Sequence, residues 1–181
     1  AVFENRFPAY SGDQGRCEVV CYTPVHDSSL GEQSVDHIQD LIEVWRDRTD
    51  ELSRLPNVRY VYVFENRGEV IGVTLSHPHG QIYAYPFVPP VIQRELHAEA
   101  KHMRKTGRCL YCDVIANEQT AQRIVIQDDR WIAFVPSFAR WPYEVHLAPV
   151  KHRGGFADLD EADGESLARI LKGLLQKYDR L

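Results

Sequence analysis

A short segment near the start of the chain returns in its second half, and this repeat is the strongest constraint on the fold. The stretch EVVCYTPVH at 18–26 is echoed by EVHLAPVKH at 144–152. A short loop and then a long amphipathic segment follow each copy. Because an internal repeat of this size indicates one structural unit used twice, we expect two copies of the same α+β unit packed together.

The first copy predicts a strand over 16–22 and then a long helix with Ser34 as its N-cap. Apolar residues recur at helical spacing after Ser34, namely Val35, Ile38, Leu41, Ile42, Trp45 and Leu52. Two strands around a turn, a further strand and a helix are then predicted over 58–65, 69–75, 81–86 and 91–104.

We expect residues 1–104 to form the first repeat and residues 105–181 a partial second repeat. The long helix of the second repeat is predicted over 161–180. The second repeat stops after this helix, without a counterpart of the hairpin and of the strand that follows it. The predicted fold class is therefore α+β, an antiparallel sheet with helices packed on it.

Two histidines separated by a proline, in the stretch LSHPHGQ, carry the chemistry that we expect of the chain. A histidine attacks phosphorus well when its attacking nitrogen is neutral and a hydrogen bond holds the other nitrogen. In 77–80 the proline stiffens the backbone, and the glycine would let a phosphate approach the main chain. Neutral donors for phosphate oxygens lie nearby in the sequence, at Gln81, Asn66, Thr74 and Ser76.

Composition excludes several classes of protein. The formal net charge of −5 over 181 residues does not suggest a basic nucleic-acid-binding face. No apolar run approaches the roughly 20 residues that cross a bilayer, and AVFENRFPAY carries charges where a signal peptide is apolar. We therefore predict a cytoplasmic protein that binds neither nucleic acid nor a membrane. Four cysteines do not suggest a disulfide scaffold, so reduced thiols or a metal site are expected.

Five motifs together resemble galactose-1-phosphate uridylyltransferase, a branch of the histidine-triad superfamily. The motifs read NRFPAY, GRCEVVCYTPVHD, FENRG, HPHGQ and WPYEVHLAP, and the match as a whole covers almost the whole chain. Histidine-triad hydrolases have a third histidine where this chain has Gln81, so the glutamine is typical of the transferase branch. The resemblance implies two histidine-triad-like repeats, of which the second is truncated.

The resemblance also implies a reaction that belongs to galactose metabolism. UMP would pass from UDP-glucose to His79, releasing glucose 1-phosphate, and then to galactose 1-phosphate, giving UDP-galactose. Gln81, Asn66 and Thr74 match the phosphate contacts of the family, and Asn5 matches a nucleotide contact. A homodimer is implied too, with active sites that draw residues from both subunits.

Two metal sites follow from the resemblance, with zinc in the first. His26 and His77 match two ligands of that site, and its Cys-x-x-Cys pair would lie upstream of the first residue. Cys17 and Cys21 have a different spacing, C-x-x-x-C, and are predicted to be core residues.

Another Cys-x-x-Cys pair, Cys109 and Cys112, has the common spacing of a zinc half-site ahead of a strand. His152 is the repeat counterpart of His26 and a third ligand for it. Glu95 matches a position at which some members of the family hold a metal; an exposed helix residue is the equal alternative. The cofactor is predicted to be zinc, with zinc or iron as the second metal. Three histidines of the predicted helices, His37, His97 and His102, are predicted to lie on solvated faces.

Two alternatives stay open. The same histidine and glutamine could serve a nucleotide phosphorylase or adenylyltransferase that acts on another nucleotide. The chain could also be an inactive fragment or one product of a split gene, because it does not begin with Met and the family extends past both of its ends. In that case it would need a complementing chain.

Overall fold

A computed structural model of the chain describes residues 1–12, 15–68 and 77–181. The strands in these ranges are β1 (Val2–Glu4), β2 (Arg16–Cys21), β3 (Tyr60–Phe64), β4 (His79–Tyr85), β5 (Ile124–Gln127), β6 (Trp131–Phe134) and β7 (His146–Pro149). The α-helices are α1 (Val35–Ser53), α2 (Pro90–Thr106), α3 (Leu110–Glu118) and α4 (Glu161–Tyr178). Short 3-10 helices lie at Leu30–Glu32 and Phe156–Asp158.

The strands form two antiparallel sheets. The first sheet has the order β1-β2-β4-β3, so β4 pairs with β2 on one side and with β3 on the other. The second sheet has the order β5-β6-β7. The α+β class predicted from the sequence, with antiparallel strands and packed helices, is confirmed.

The repeat in the sequence corresponds to a repeat of elements. Strand β2 is followed by the 3-10 helix at Leu30–Glu32 and then by α1, and strand β7 is followed by the one at Phe156–Asp158 and then by α4. Helices α1 and α4 contact each other. One hydrophobic cluster joins α1, represented by Ile38 and Trp45, to α4, represented by Leu167 and Ile170. Helices α1 and α4 therefore share one core.

Helix α1 has the cap and the buried face that the sequence predicts. The Ser34 hydroxyl accepts a hydrogen bond from the His37 backbone N–H at 3.1 Å, as an N-cap does. The buried residues of the helix are Ile38, Leu41, Ile42, Trp45 and Leu52. Burying each large apolar side chain contributes about 1.5–3 kcal/mol, so this face anchors the helix to the first sheet.

Other boundaries differ from the prediction. The strand expected over 81–86 begins at His79, because its hydrogen bonds to β2 continue to the pair Cys21–His79. The strand expected over 58–65 spans Tyr60–Phe64, and its predicted partner over 69–75 lies outside the described residues.

Helix α3 lies between Cys109 and β5, the strand that follows the Cys-x-x-Cys pair. Val114 and Ile115 of that helix pack against Ile132 and Phe134 of β6, and this contact stabilises the helical conformation.

Asp163 joins three parts of the second repeat. Its buried carboxylate accepts hydrogen bonds from Arg130 Nη1 at 2.6 Å and from Arg153 Nε at 2.9 Å. Its backbone carbonyl accepts one from Trp131 Nε1 at 2.9 Å. Burial alone would raise the pKa of Asp163, but the hydrogen bonds from Arg130, the Asp160 backbone and Arg153 outweigh it and lower that pKa.

Replacing Asp163 by Asn should reduce the free energy of unfolding by about 2–3 kcal/mol, because two guanidinium groups lose their buried partner. The exposed pair Glu165–Arg169 on the same helix provides a matched control. Glu165→Gln should change stability by less than about 0.5 kcal/mol in urea unfolding.

The pH dependence follows from the lowered pKa of Asp163. Its contribution to stability is complete above about pH 4, where an unfolded aspartate is ionised, and is lost as the pH falls through the lower folded pKa. The difference in free energy of unfolding between the unaltered protein and Asp163→Asn should therefore shrink in acid. A difference that does not change with pH would contradict this account of Asp163.

Candidate functional site

Strand β4 places the predicted nucleophile and the predicted phosphate donor on one face of the first sheet. Side chains alternate along a strand, so His79 and Gln81 point to the same side. Gly80 and Ile82 point to the opposite side, where Ile82 is fully buried in the core shared with α1. The chemistry of HPHGQ therefore faces away from the helices.

The ring of His79 has a defined tautomer. Its Nδ1 lies 2.8 Å from the backbone carbonyl oxygen of His77. A carbonyl oxygen can only accept, so Nδ1 carries the hydrogen and the neutral ring keeps a lone pair on Nε2. The hydrogen bond spans two residues within HPHG, so the motif orients its own histidine. This is the arrangement that the sequence predicts for attack on phosphorus.

Gly80 has a different role from the one expected of it. Its missing side chain faces the core and not the face that carries His79 and Gln81. A Cβ at this position would overlap the hydroxyl of Tyr22 and lie 3.1 Å from the carbonyl oxygen of Phe64. The glycine is therefore required because Tyr22 packs directly behind the motif, and sequence reasoning did not identify Tyr22.

The other predicted substrate contacts are only partly described. Asn66 is exposed in the loop after β3, and β3 pairs with β4 as far as Phe64 opposite Gln81. Asn5 follows β1, donates its backbone N–H to Cys17 O at 2.8 Å and accepts a hydrogen bond from Phe7 N at 2.9 Å. Thr74 and Ser76 lie outside the described residues. Contact of these four residues with a substrate stays a prediction.

The two histidines predicted for the first metal site lie side by side. The ring centroids of His26 and His77 are 5.5 Å apart, with the ring planes at 31°. Cys17 is fully buried, as predicted for a core residue, whereas Cys21 is half-buried opposite His79. Neither cysteine belongs to a metal-like group among the described residues.

The predicted ligands of the second metal site come together. Donor atoms of Cys109, Cys112 and His152 all lie within 4.8 Å of one another, and Cys112 Sγ is 3.3 Å from His152 Nδ1. Cys109 is the N-cap of α3 and Cys112 lies in its first turn, while His152 follows β7. Two sulfur donors and one imidazole fit a tetrahedral ion that takes its fourth ligand from elsewhere.

The pKa of Cys112 is raised by burial and by the neighbouring Cys109 thiol. A metal ion would have to displace the thiol protons to bind here. Glu95 does not belong to the group. It lies on α2, where its charge raises the pKa of both Tyr60 and Tyr111 after the larger effect of their own burial.

Two of the three helix histidines are not solvated as predicted. His37 Nε2 lies 2.5 Å from the Tyr22 carbonyl oxygen, so its ring ties α1 to the end of β2. His102 Nε2 lies 2.7 Å from Asp113 Oδ2 and joins α2 to α3. These contacts depend on tertiary packing, which helical periodicity does not reveal. His97 is exposed, as predicted.

Comparison with known proteins agrees with this geometry. The family described as galactose-1-phosphate uridyl transferase, N-terminal domain, matches residues 2–89, and its C-terminal domain matches residues 94–181. The chain belongs to the galactose-1-phosphate uridylyltransferase family. It is 47% identical over 181 residues to the galactose-1-phosphate uridylyltransferase of Streptomyces lividans and 37% identical over 196 residues to that of Thermotoga maritima.

Two solved structures have a similar fold. A uridylyltransferase structure superposes with a TM-score of 0.90 at 33% identity, covering 95% of this chain and 60% of the other. An ADP-glucose phosphorylase from Arabidopsis thaliana with bound ADP-glucose superposes with a TM-score of 0.89 at 27% identity, covering 97% and 58%.

These two relatives are longer than this chain. The alignments cover 99% of this chain in both cases, but only 51% of the Streptomyces lividans protein and 61% of the Thermotoga maritima protein. No helix in the described part of the chain is long and apolar enough to cross a membrane.

Proposed function

We propose that the chain carries the nucleotidyl-transfer site of a UDP-glucose–hexose-1-phosphate uridylyltransferase. The observation that carries the proposal is the hydrogen bond from His79 Nδ1 to the His77 carbonyl oxygen. It leaves Nε2 as a nucleophile on the face that also presents Gln81. Family membership supports this reaction, and the orientation of the His79 ring supports His79 as its nucleophile.

In the proposed reaction the Nε2 lone pair of His79 attacks the α-phosphorus of UDP-glucose. A bond forms between Nε2 and phosphorus, and the bond to the leaving oxygen breaks, so that glucose 1-phosphate departs with the electron pair. A phosphate oxygen of galactose 1-phosphate then attacks the same phosphorus and releases His79. Gln81 is an uncharged donor that can hold a phosphate oxygen through both steps without trapping the intermediate.

The relatives support UDP-glucose and galactose 1-phosphate as substrates, since the curated matches are named galactose-1-phosphate uridylyltransferases. A second candidate function is supported by one solved structure, an ADP-glucose phosphorylase whose superposition covers 97% of this chain. The second function would use the same histidine and transfer an adenylyl group instead. The nucleotide sugar that labels the chain distinguishes the two.

We also propose that Cys109, Cys112 and His152 hold zinc, because thiolate and imidazole donors suit this ion. When bound, the ion would cross-link α3 to the loop after β7. His26 and His77 are proposed to belong to another zinc site, and Glu95 to a further zinc or iron site; both would need ligands beyond the ones that are described.

We propose that the chain assembles through an unpaired strand edge of its second sheet. In the first repeat β2 pairs with β4, and β7 is the repeat counterpart of β2. Among the described residues β7 pairs only with β6. An unpaired sheet edge invites a further strand.

We propose that a complementing segment or a second copy of the chain covers the edge of β7. We also propose that the assembly works in the cytoplasm. We propose the division into repeats at 1–104 and 105–181 because the segment at 18–26 returns at 144–152. Residues 1–104 would carry the nucleotide site, and residues 105–181 would carry the three-ligand metal group.

Incubation with UDP-glucose should add one uridylyl group to His79, detected by peptide mass spectrometry. His79→Asn should abolish the adduct because the imidazole that carries Nε2 is removed. His97→Asn, at an exposed histidine of α2, is the matched control and should label normally. Labelling by ADP-glucose in place of UDP-glucose would support the phosphorylase alternative. An adduct that persists in His79→Asn would remove His79 from the mechanism.

Metal analysis should find zinc at or below about one equivalent per chain, since one group of described residues offers three close ligands. The double variant Cys109→Ser, Cys112→Ser should lose most of it because the thiolates are gone. Cys21→Ser, at a half-buried cysteine outside the group, should keep it. If the double variant retained its zinc, the ion would have to lie at His26 and His77 instead.

Light scattering should give a mass well above the 20.9 kDa of one chain, rising with concentration, because the proposed unpaired edge of β7 would accept another strand. Addition of a polypeptide that corresponds to the remaining half of a relative should replace self-association by a defined complex. A chain that stays monomeric at high concentration, with and without that polypeptide, would contradict the proposed assembly.

A further inference from the structure

The group formed by Cys109, Cys112 and His152 joins two segments that are far apart in the sequence. Its two sulfurs and one imidazole nitrogen lie within 4.8 Å of one another. Cys112 Sγ is 3.3 Å from His152 Nδ1, across a separation of 40 residues. The sulfurs belong to the start of α3, whereas the imidazole belongs to the loop after β7. The group is therefore a tertiary contact made by reactive side chains.

The position of the two cysteines on α3 suits a second kind of chemistry. Cys109 is the N-cap of the helix, and Cys112 is its third residue. Residues three apart on a helix are neighbours, so both sulfurs lie on one side of the helix start. A Cys-x-x-Cys pair is also the arrangement in which dithiols and disulfides interconvert in oxidoreductases. The two sulfurs that fit a metal ion thus also fit a disulfide.

Reagents from the solvent can reach this pair. His152 is exposed, and both cysteines are half-buried. The other two cysteines of the chain differ from this pair. Cys17 and Cys21 are four residues apart on strand β2. That separation places their Cα atoms roughly 13 Å apart, which is too far for a disulfide between them.

We propose that Cys109 and Cys112 are a redox-sensitive modification site, at which a small disulfide such as oxidised glutathione converts the two sulfurs to a disulfide and releases the zinc ion. Zinc binding keeps both sulfurs as thiolates, and the thiolate is the form that attacks a disulfide. The release of zinc rests on the zinc site proposed above, and it is independent of nucleotidyl transfer.

The step is balanced in atoms and electrons. One cysteine thiolate attacks a sulfur of oxidised glutathione, the sulfur–sulfur bond of the glutathione breaks, and one glutathione thiolate leaves. The other cysteine thiolate then attacks the protein sulfur of the mixed disulfide, which forms the bond between Cys109 and Cys112 and expels the second glutathione thiolate. Two electrons pass from the cysteines to oxidised glutathione. Zinc departs as the divalent ion, and His152 keeps its electron pair.

The new disulfide does not replace the link that the zinc ion provides. It closes within the start of α3, so it leaves His152 and the loop after β7 without a connection to that helix. The loop stays attached on its other side, because Arg153 Nε donates to Asp163 at 2.9 Å. Oxidation is therefore expected to loosen the loop locally around His152 and to leave the fold intact.

Zinc-loaded protein treated with an excess of oxidised glutathione should release its zinc to a chromogenic chelator. Two thiols should be lost for each zinc ion released, and peptide mass spectrometry should locate the disulfide between Cys109 and Cys112. Reduced glutathione at the same concentration controls for extraction of the metal by a thiol and should release little zinc. Cys21→Ser, at a half-buried cysteine outside the group, should behave like the unaltered protein.

Single variants test the order of the exchange without depending on the metal. Metal-free Cys109→Ser and Cys112→Ser should each accumulate one glutathione on the cysteine that remains, because no second thiolate is present to expel it. The unaltered metal-free protein should instead pass on to the internal disulfide. Glutathione that is found only on Cys21 in all three proteins would overturn the inference.

Limited proteolysis follows the loop directly. Trypsin should cleave after Lys151, which precedes His152, several-fold faster in the oxidised protein than in the zinc-loaded one. Cleavage after the exposed Arg54, at the end of α1, should keep its rate. Zinc that stays bound while the thiols of Cys109 and Cys112 remain intact in excess oxidised glutathione would reject the inference and uphold the zinc site. An internal disulfide in a protein that never binds zinc would uphold the modification site and reject the proposed metal.

Discussion

Strand β4 is held between β2 and β3, and this double pairing determines where the groups of the candidate site lie. The register Val19–Gln81 on one side and Phe64–Gln81 on the other fixes the direction of every β4 side chain. A shift by one residue would turn His79 and Gln81 into the core and expose Ile82. The buried contacts of Ile82 and Ala84 with α1 therefore keep the nucleophile on the open face.

Sequence patterns predicted the parts of the structure that depend on local spacing. Ser34 and the apolar face of α1 were found because capping and periodicity act within a few turns of a helix. Cys109, Cys112 and His152 were grouped correctly, since the repeat relates His152 to His26. The HPHGQ motif identified the histidine whose backbone contact defines its tautomer.

Contacts between distant segments were not predicted, because nothing in a single sequence marks them. The hydroxyl of Tyr22 meets Gly80 only after β2 and β4 have paired. His102 looked solvated because its partner Asp113 lies on another helix. The segment after Cys109 became a helix because β6 offers Ile132 and Phe134 to its apolar side. In each case tertiary packing, and not local preference, decided the outcome.

The contact between α1 and α4 has a consequence for synthesis of the protein on the ribosome. Gln176 Nε2 donates to the Gly31 carbonyl oxygen at 3.2 Å, and Leu167 and Ile170 share a cluster with Ile38. The apolar side of α1 is thus completed by residues translated more than 100 positions later. Until α4 leaves the exit tunnel, the part of the apolar face of α1 that α4 covers stays exposed on the nascent chain, which is the kind of surface that chaperones bind during translation.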